Sequence, residues 1–337
     1  MKNRNRLHLA TAWCVMPMLL ITSIVFNGCT ALKEAQQRRE KRILEERNTN
    51  TLMLKPSKAI IEIREDALFG ESDHYTIKFA EDLHEHPNFD EAPERKEFTR
   101  SALGYMESLY DAMYKLFGFQ PKHKIHVTLH DAYRDNRNAA FTRTEYRSGM
   151  LDGRYVRFIT NIHMDFPMQM YEKHGVRVHE LTHAFTNIYY IPVWFSEGLA
   201  VLIQTEYAQG GLHPKFDSLQ GNLNIDLNGV NQLESWGGHT ENSPLTQWRY
   251  RYSYTLVSQL REKYGHDFYI RVFELMEADG LHQKLAESME TSFLVYYFSK
   301  AAGEDLVPFF KKLHFTVRKL TKEDILKHIE MNRKRRQ

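Results

Sequence analysis

The most regular pattern in the chain runs from residue 94 to 117, where Phe98, Leu103, Met106, Leu109, Met113 and Leu116 recur at helical spacing. Residues three or four apart share one face of a helix, so this stripe predicts a long amphipathic helix with one buried side. Gly118 stands where a helix C-terminus favours left-handed backbone. Strands are predicted over 59–63, over 75–79 (Y-T-I-K-F), over 124–129 (K-I-H-V-T-L, after Pro121) and over 155–162. Residues 80–93 read as an acidic loop carrying His84, His86 and Asp90.

Further on, Val178, Leu181, Thr182 and Phe185 follow the i, i+3, i+4, i+7 rule and predict a second helix with a packed arc. Asn187 and Pro192 break it, and Trp194 opens a third. Residues 208–246 are rich in Gly, Asn, Ser and Pro and show no period, as expected of a segment around a cleft; His213 and His239 lie in it, expected at the surface. Helices resume over 248–265 and 267–313, with Asp305 placed to cap one. The fold class expected is α+β: a small mixed sheet with helices over 56–205, a mostly helical C-terminal lobe over 206–315, and a basic tail over 316–337.

The N-terminus has another character. MKNRNR carries three cations, residues 9–26 are apolar or small, and Gly28-Cys29 follows. That order predicts an export signal over 1–28. Cys29 follows Gly28 as in bacterial lipoproteins, which implies lipidation there and a membrane-attached, exported protein; Phe26-Asn27 departs from the usual residues, and an uncleaved anchor is the competing expectation. Cys14 leaves with the signal, so the mature chain has one cysteine and no internal disulfide. Residues 29–55 are expected to form a charged tether. Loss of residues 1–28 removes Lys2, Arg4 and Arg6 and no acid, which takes the formal charge from +2 to −1. A near-neutral body is not expected to bind nucleic acid.

The chemistry concentrates in His179-Glu180-Leu181-Thr182-His183. Four-residue spacing puts both imidazoles on one helical face, where they can hold one zinc ion, with Glu180 beside them. A catalytic zinc takes three protein ligands and keeps one position open. Glu197 lies fourteen residues after His183, on a helix able to fold back and supply the third.

These residues, with Trp194-Phe195-Ser196-Glu197-Gly198-Leu199-Ala200, resemble the gluzincin metallopeptidases, in particular the peptidase MA-like group. A metzincin would need Gly at 186 and His at 189, where Thr186 and Tyr189 stand. The resemblance spans about residues 70–270 and is strong over 175–200. It implies a zincin-like catalytic domain and one zinc held by His179, His183 and Glu197, with Glu180 as general base. It also implies a peptide or protein substrate paired to an edge strand, expected to be 155–162. In the M1-type members a Tyr stabilises the oxyanion. Tyr250 occupies the matching frame, with Tyr252 and Tyr254 as alternatives. No Gly-x-Met-Glu-Asn segment is present, so endopeptidase action is favoured over aminopeptidase action. The competing reading is an inactive zincin-fold scaffold of the cell envelope.

Overall fold

The computed structural model describes residues 54–80, 92–131, 139–151, 154–208, 213–219, 244–281 and 289–327. The signal, Cys29, most of the tether, the trio His84, His86 and Asp90, and His239 lie outside the described residues.

Six strands form one mixed sheet: β1 (Glu62–Ile63), β2 (Phe69–Glu71), β3 (Tyr75–Phe79), β4 (Ile125–His130), β5 (Phe141–Leu151) and β6 (Arg154–Pro167). Their order is β1-β2-β3-β4-β6-β5. β3, β4 and β6 run parallel, while β1–β2, β2–β3 and β5–β6 pair antiparallel. The parallel step from β3 to β4 needs a crossover, and α1 (Ala92–Phe117) spans it. Strand alternation puts Ile77, Val127, Leu129, Ile162, Met164 and Phe166 on one fully buried face. The helical stripe of Leu103, Met106, Leu109 and Met113 is buried as well. The expected end of α1 stands, with Gly118 at φ 76°.

A short turn, Met168–Tyr171, leads from β6 into α2 (His174–Thr186), followed by a 3-10 turn (Asn187–Tyr189) and α3 (Val193–Tyr207). Tyr190 takes a left-handed φ of 53°, and Pro192 caps α3, which together reverse the chain. The remaining helices are α4 (Pro244–Tyr264), α5 (Phe268–Ala278), α6 (Thr291–Ala302) and α7 (Val307–Lys312). Asp305 Oδ1 accepts the Val307 N–H at 3.0 Å, at the turn where a cap was expected.

Four expectations need correction. β2 and β5 were not anticipated; β5 (FTRTEYRSGML) offers little apolar alternation because it lies at the sheet's end. The strand preceding α2 is therefore not the edge: β6 sits between β4 and β5, and β5 is terminal. The boundary at 205/206 does not divide the core, because Phe273 of α5 meets the rings of Phe119 and Tyr189 at 5.2 and 5.0 Å. Finally, the basic tail expected from 316 contributes to the core: Val317, Leu320 and Ile325 are buried in it. Residues 328–337 lie outside the described residues. Among the described residues no helix is long and apolar enough to cross a membrane.

Candidate metal centre

The centre forms where α2 and α3 pack. On α2, Val178, Leu181, Thr182 and Phe185 are fully buried, and Phe185 tilts against Tyr110 of α1 at 4.9 Å between ring centres. This fixes the roll of the helix and turns His179 and His183 to the opposite side. On α3, Trp194 donates its indole N–H to Thr291 Oγ1 at 3.1 Å, and Phe195 packs edge-on to Phe298 at 5.1 Å. Both aromatics face α6, so the next turn carries Glu197 toward α2.

Three side chains converge. His179 Nε2 and His183 Nε2 lie 3.1 Å apart, and Glu197 Oε2 is 3.3 Å from the first and 3.4 Å from the second. A tetrahedron around zinc with bonds of about 2.0–2.1 Å has edges of roughly 3.3–3.4 Å. The donor triangle has nearly that size, and the three donor types are those zinc accepts. The donor set therefore fits a single cation of this kind. All three groups are largely withdrawn from water, with side-chain exposures of 14, 10 and 9% for His179, His183 and Glu197. Burial lowers the pKa of His183, but Glu197, and after it Glu180, raise it by more, to about 8.

The outward nitrogens are held too. His179 Nδ1 is 3.1 Å from Gln204 Oε1, and His183 Nδ1 is 2.9 Å from Ser196 Oγ. An amide oxygen only accepts, so His179 carries its proton on Nδ1 and turns a lone pair inward at Nε2. Gln204 can reach because Gly175 leaves room: a Cβ there would stand 3.0 Å from Gln204 Nε2 and 3.3 Å from its Cγ. Gly198, next to Glu197, has a similar purpose toward α4, where a Cβ would meet Ser253 O and Val257 Cγ2 at 2.7 Å each.

Glu180 is 6% exposed and accepts from Thr142 Oγ1 at 2.8 Å; the same hydroxyl lies 2.9 Å from the Glu180 backbone oxygen. Asn187, at the far end of α2, donates to Thr144 Oγ1 at 3.3 Å and accepts from the Tyr146 hydroxyl at 2.7 Å. The terminal strand β5 thus runs alongside the second half of α2, from Glu180 to Asn187, and touches the carboxylate of Glu180.

The structure brings together His179, His183 and Glu197, with Glu180 beside His183. It separates the three tyrosines. Tyr252 is buried and stacks on Trp248 at 5.0 Å, as a packing aromatic. Tyr250 and Tyr254, one turn apart on α4, line a cavity with Val201 of α3. His213, expected at the surface, is half-buried and lines that cavity, edge-on to Tyr254. Sequence reasoning missed Thr142, Ser196 and Gln204. None of the three left a clear signal: Gln204 stands at i+7 from Glu197, but Ser196, Thr205 and Glu206 are polar residues of the same helix. Compared with protein families, with curated proteins and with solved structures, the chain matches none.

Proposed function

We propose that the chain is a zinc-dependent peptidase of the gluzincin type, exported and held at a membrane through lipidated Cys29. The observation that carries this reading is the donor triangle of His179, His183 and Glu197, with edges of 3.1–3.4 Å. Zinc bound there supplies a water of lowered pKa and polarises a carbonyl oxygen. Glu180 takes a proton from the attacking water and passes it to the leaving amine. Thr142 orients that carboxylate by donating to one oxygen, Oε2. Tyr250 donates to the oxyanion, a contact that strengthens as charge develops. An extended peptide lies along β5, whose far side has no paired strand among the described residues.

The reading favours an enzyme over an inactive scaffold because Glu180 has its own positioned partner, which metal binding alone does not require. The test is Glu180→Gln. The variant should keep its zinc and its melting temperature and lose peptide hydrolysis by a factor of 100 or more, on the order expected of a general base. Undiminished turnover would remove Glu180 from that role.

A further inference from the structure

Glu197, Val201 and Gln204 stand at i, i+4 and i+7 on α3 and share one face. The two outer members both touch His179. Val201, between them, therefore borders the metal centre. It also lines a cavity of about 470 Å³, together with Phe216, Trp248, Tyr250 and Tyr254.

We infer that this cavity is the specificity pocket of the proposed peptidase and takes one large apolar or aromatic side chain of the substrate, to the exclusion of lysine and arginine. The inference rests on the peptidase reading for the word substrate; the preference itself follows from the walls. The volume suits an aromatic side chain, and the surfaces facing it are mostly rings. The polar groups on the lining are His213, Gln247 and Arg251, and none of the lining residues described is a carboxylate. Arg251 lies over the Phe216 ring at 4.2 Å and donates to Lys215 O at 2.9 Å. Lys215 Nζ stands 5.7 Å from the centre of the Tyr254 ring. Lys215 Nζ already engages Glu262 Oε1 at 2.5 Å, so among the described residues a cationic side chain would enter beside Arg251 with no free carboxylate on the lining to receive it.

The experiment uses the full-length chain, purified in detergent and loaded with zinc. Two hydroxamates, of phenylalanine and of lysine, are titrated while tryptophan fluorescence is followed, with Trp248→Phe as the control for the pocket's own signal, and a peptide library is cleaved in parallel. The phenylalanine compound should bind about 10–100-fold more tightly, and cleavage should favour bulky apolar residues at one position beside the scissile bond. Val201→Phe should fill the pocket and abolish the preference while zinc content stays at one. Gln247→Glu is an isosteric change at an exposed position. It should raise affinity for the lysine compound at least about threefold. Equal or stronger wild-type binding of the lysine compound would overturn the pocket assignment. Tight binding of the phenylalanine compound without cleavage of any peptide would keep the pocket and sink the peptidase reading.

Discussion

Replacing Gly175 by alanine separates metal affinity from fold stability. The position lies in the first turn of α2 with ordinary negative φ, so alanine fits the backbone. Gly→Ala at a compatible site stabilises by about 0.4–1 kcal/mol, chiefly by restricting the unfolded chain. The new Cβ, however, stands 3.0 Å from Gln204 Nε2 and 3.3 Å from Cγ, so the amide must retreat by a few tenths of an ångström. Its bond to His179 Nδ1 is already 3.1 Å, near the long end of the hydrogen-bond range, and that retreat breaks it. Loss of such an outer partner typically costs 10–100-fold in metal affinity. Gly175→Ala should therefore melt at or slightly above the wild-type temperature without metal, yet bind zinc about tenfold more weakly. Gln204→Ala should fall further within the same range. Zinc competition against a chromophoric chelator, with thermal melts of the metal-free proteins, reads both quantities. If Gly175→Ala and Gln204→Ala both hold zinc as tightly as wild type, Gln204 does not position His179 and the reasoning fails. If only Gln204→Ala weakens, the cradle at Gly175 is looser than the geometry implies.

Three other outcomes follow. Gly198→Ala puts a Cβ 2.7 Å from Ser253 O, a backbone atom that cannot swing aside; overpacking there should cost about 1–3 kcal/mol, visible as a lower denaturation midpoint. Thr142→Val keeps the shape of the side chain but removes the donor to Glu180. Zinc content should be unchanged while kcat drops about tenfold, and an equal loss of zinc would place Thr142 in the fold rather than the reaction. Asp305 has its pKa held below 3.8 by Lys319 and by the Val307 N–H. Its stabilisation is therefore present above about pH 4 and disappears as pH falls through the lower folded value. Wild type should melt above Asp305→Asn at pH 6, and the gap should close as pH falls below the ordinary aspartate range; a constant gap would exclude the carboxylate as the cause.

What could be read from the chain followed its periodicities. The stripe from Phe98 to Leu116 became α1, and the alternation of 75–79 and 124–129 became the buried strands β3 and β4, because one face of each is apolar and the other is not. The candidate metal-binding histidines were legible because a four-residue spacing fixes two imidazoles on one helical face, whatever surrounds them. β5 was not, since Phe141-Thr142-Arg143-Thr144-Glu145 presents Thr to α2 and charged residues to the other side. An edge strand that packs polar groups against a site leaves no hydrophobic alternation to find. Gln204 and Gly175 lie on different helices and mean nothing until the two are packed. Val317, Leu320 and Ile325 were obscured by the lysines and arginines among them, whose charge dominates composition while three apolar side chains complete the core.

The central claim is that His179, His183 and Glu197 hold one zinc ion. The most direct measurement is metal content by mass spectrometry on the purified full-length chain, wild type beside Glu197→Ala, before and after dialysis against a chelator. One equivalent of zinc in the wild type, recovered on reloading and lost in Glu197→Ala with the fold intact by circular dichroism, is the predicted result. A wild-type chain that takes up no zinc, or a Glu197→Ala variant that retains a full equivalent, would contradict the account.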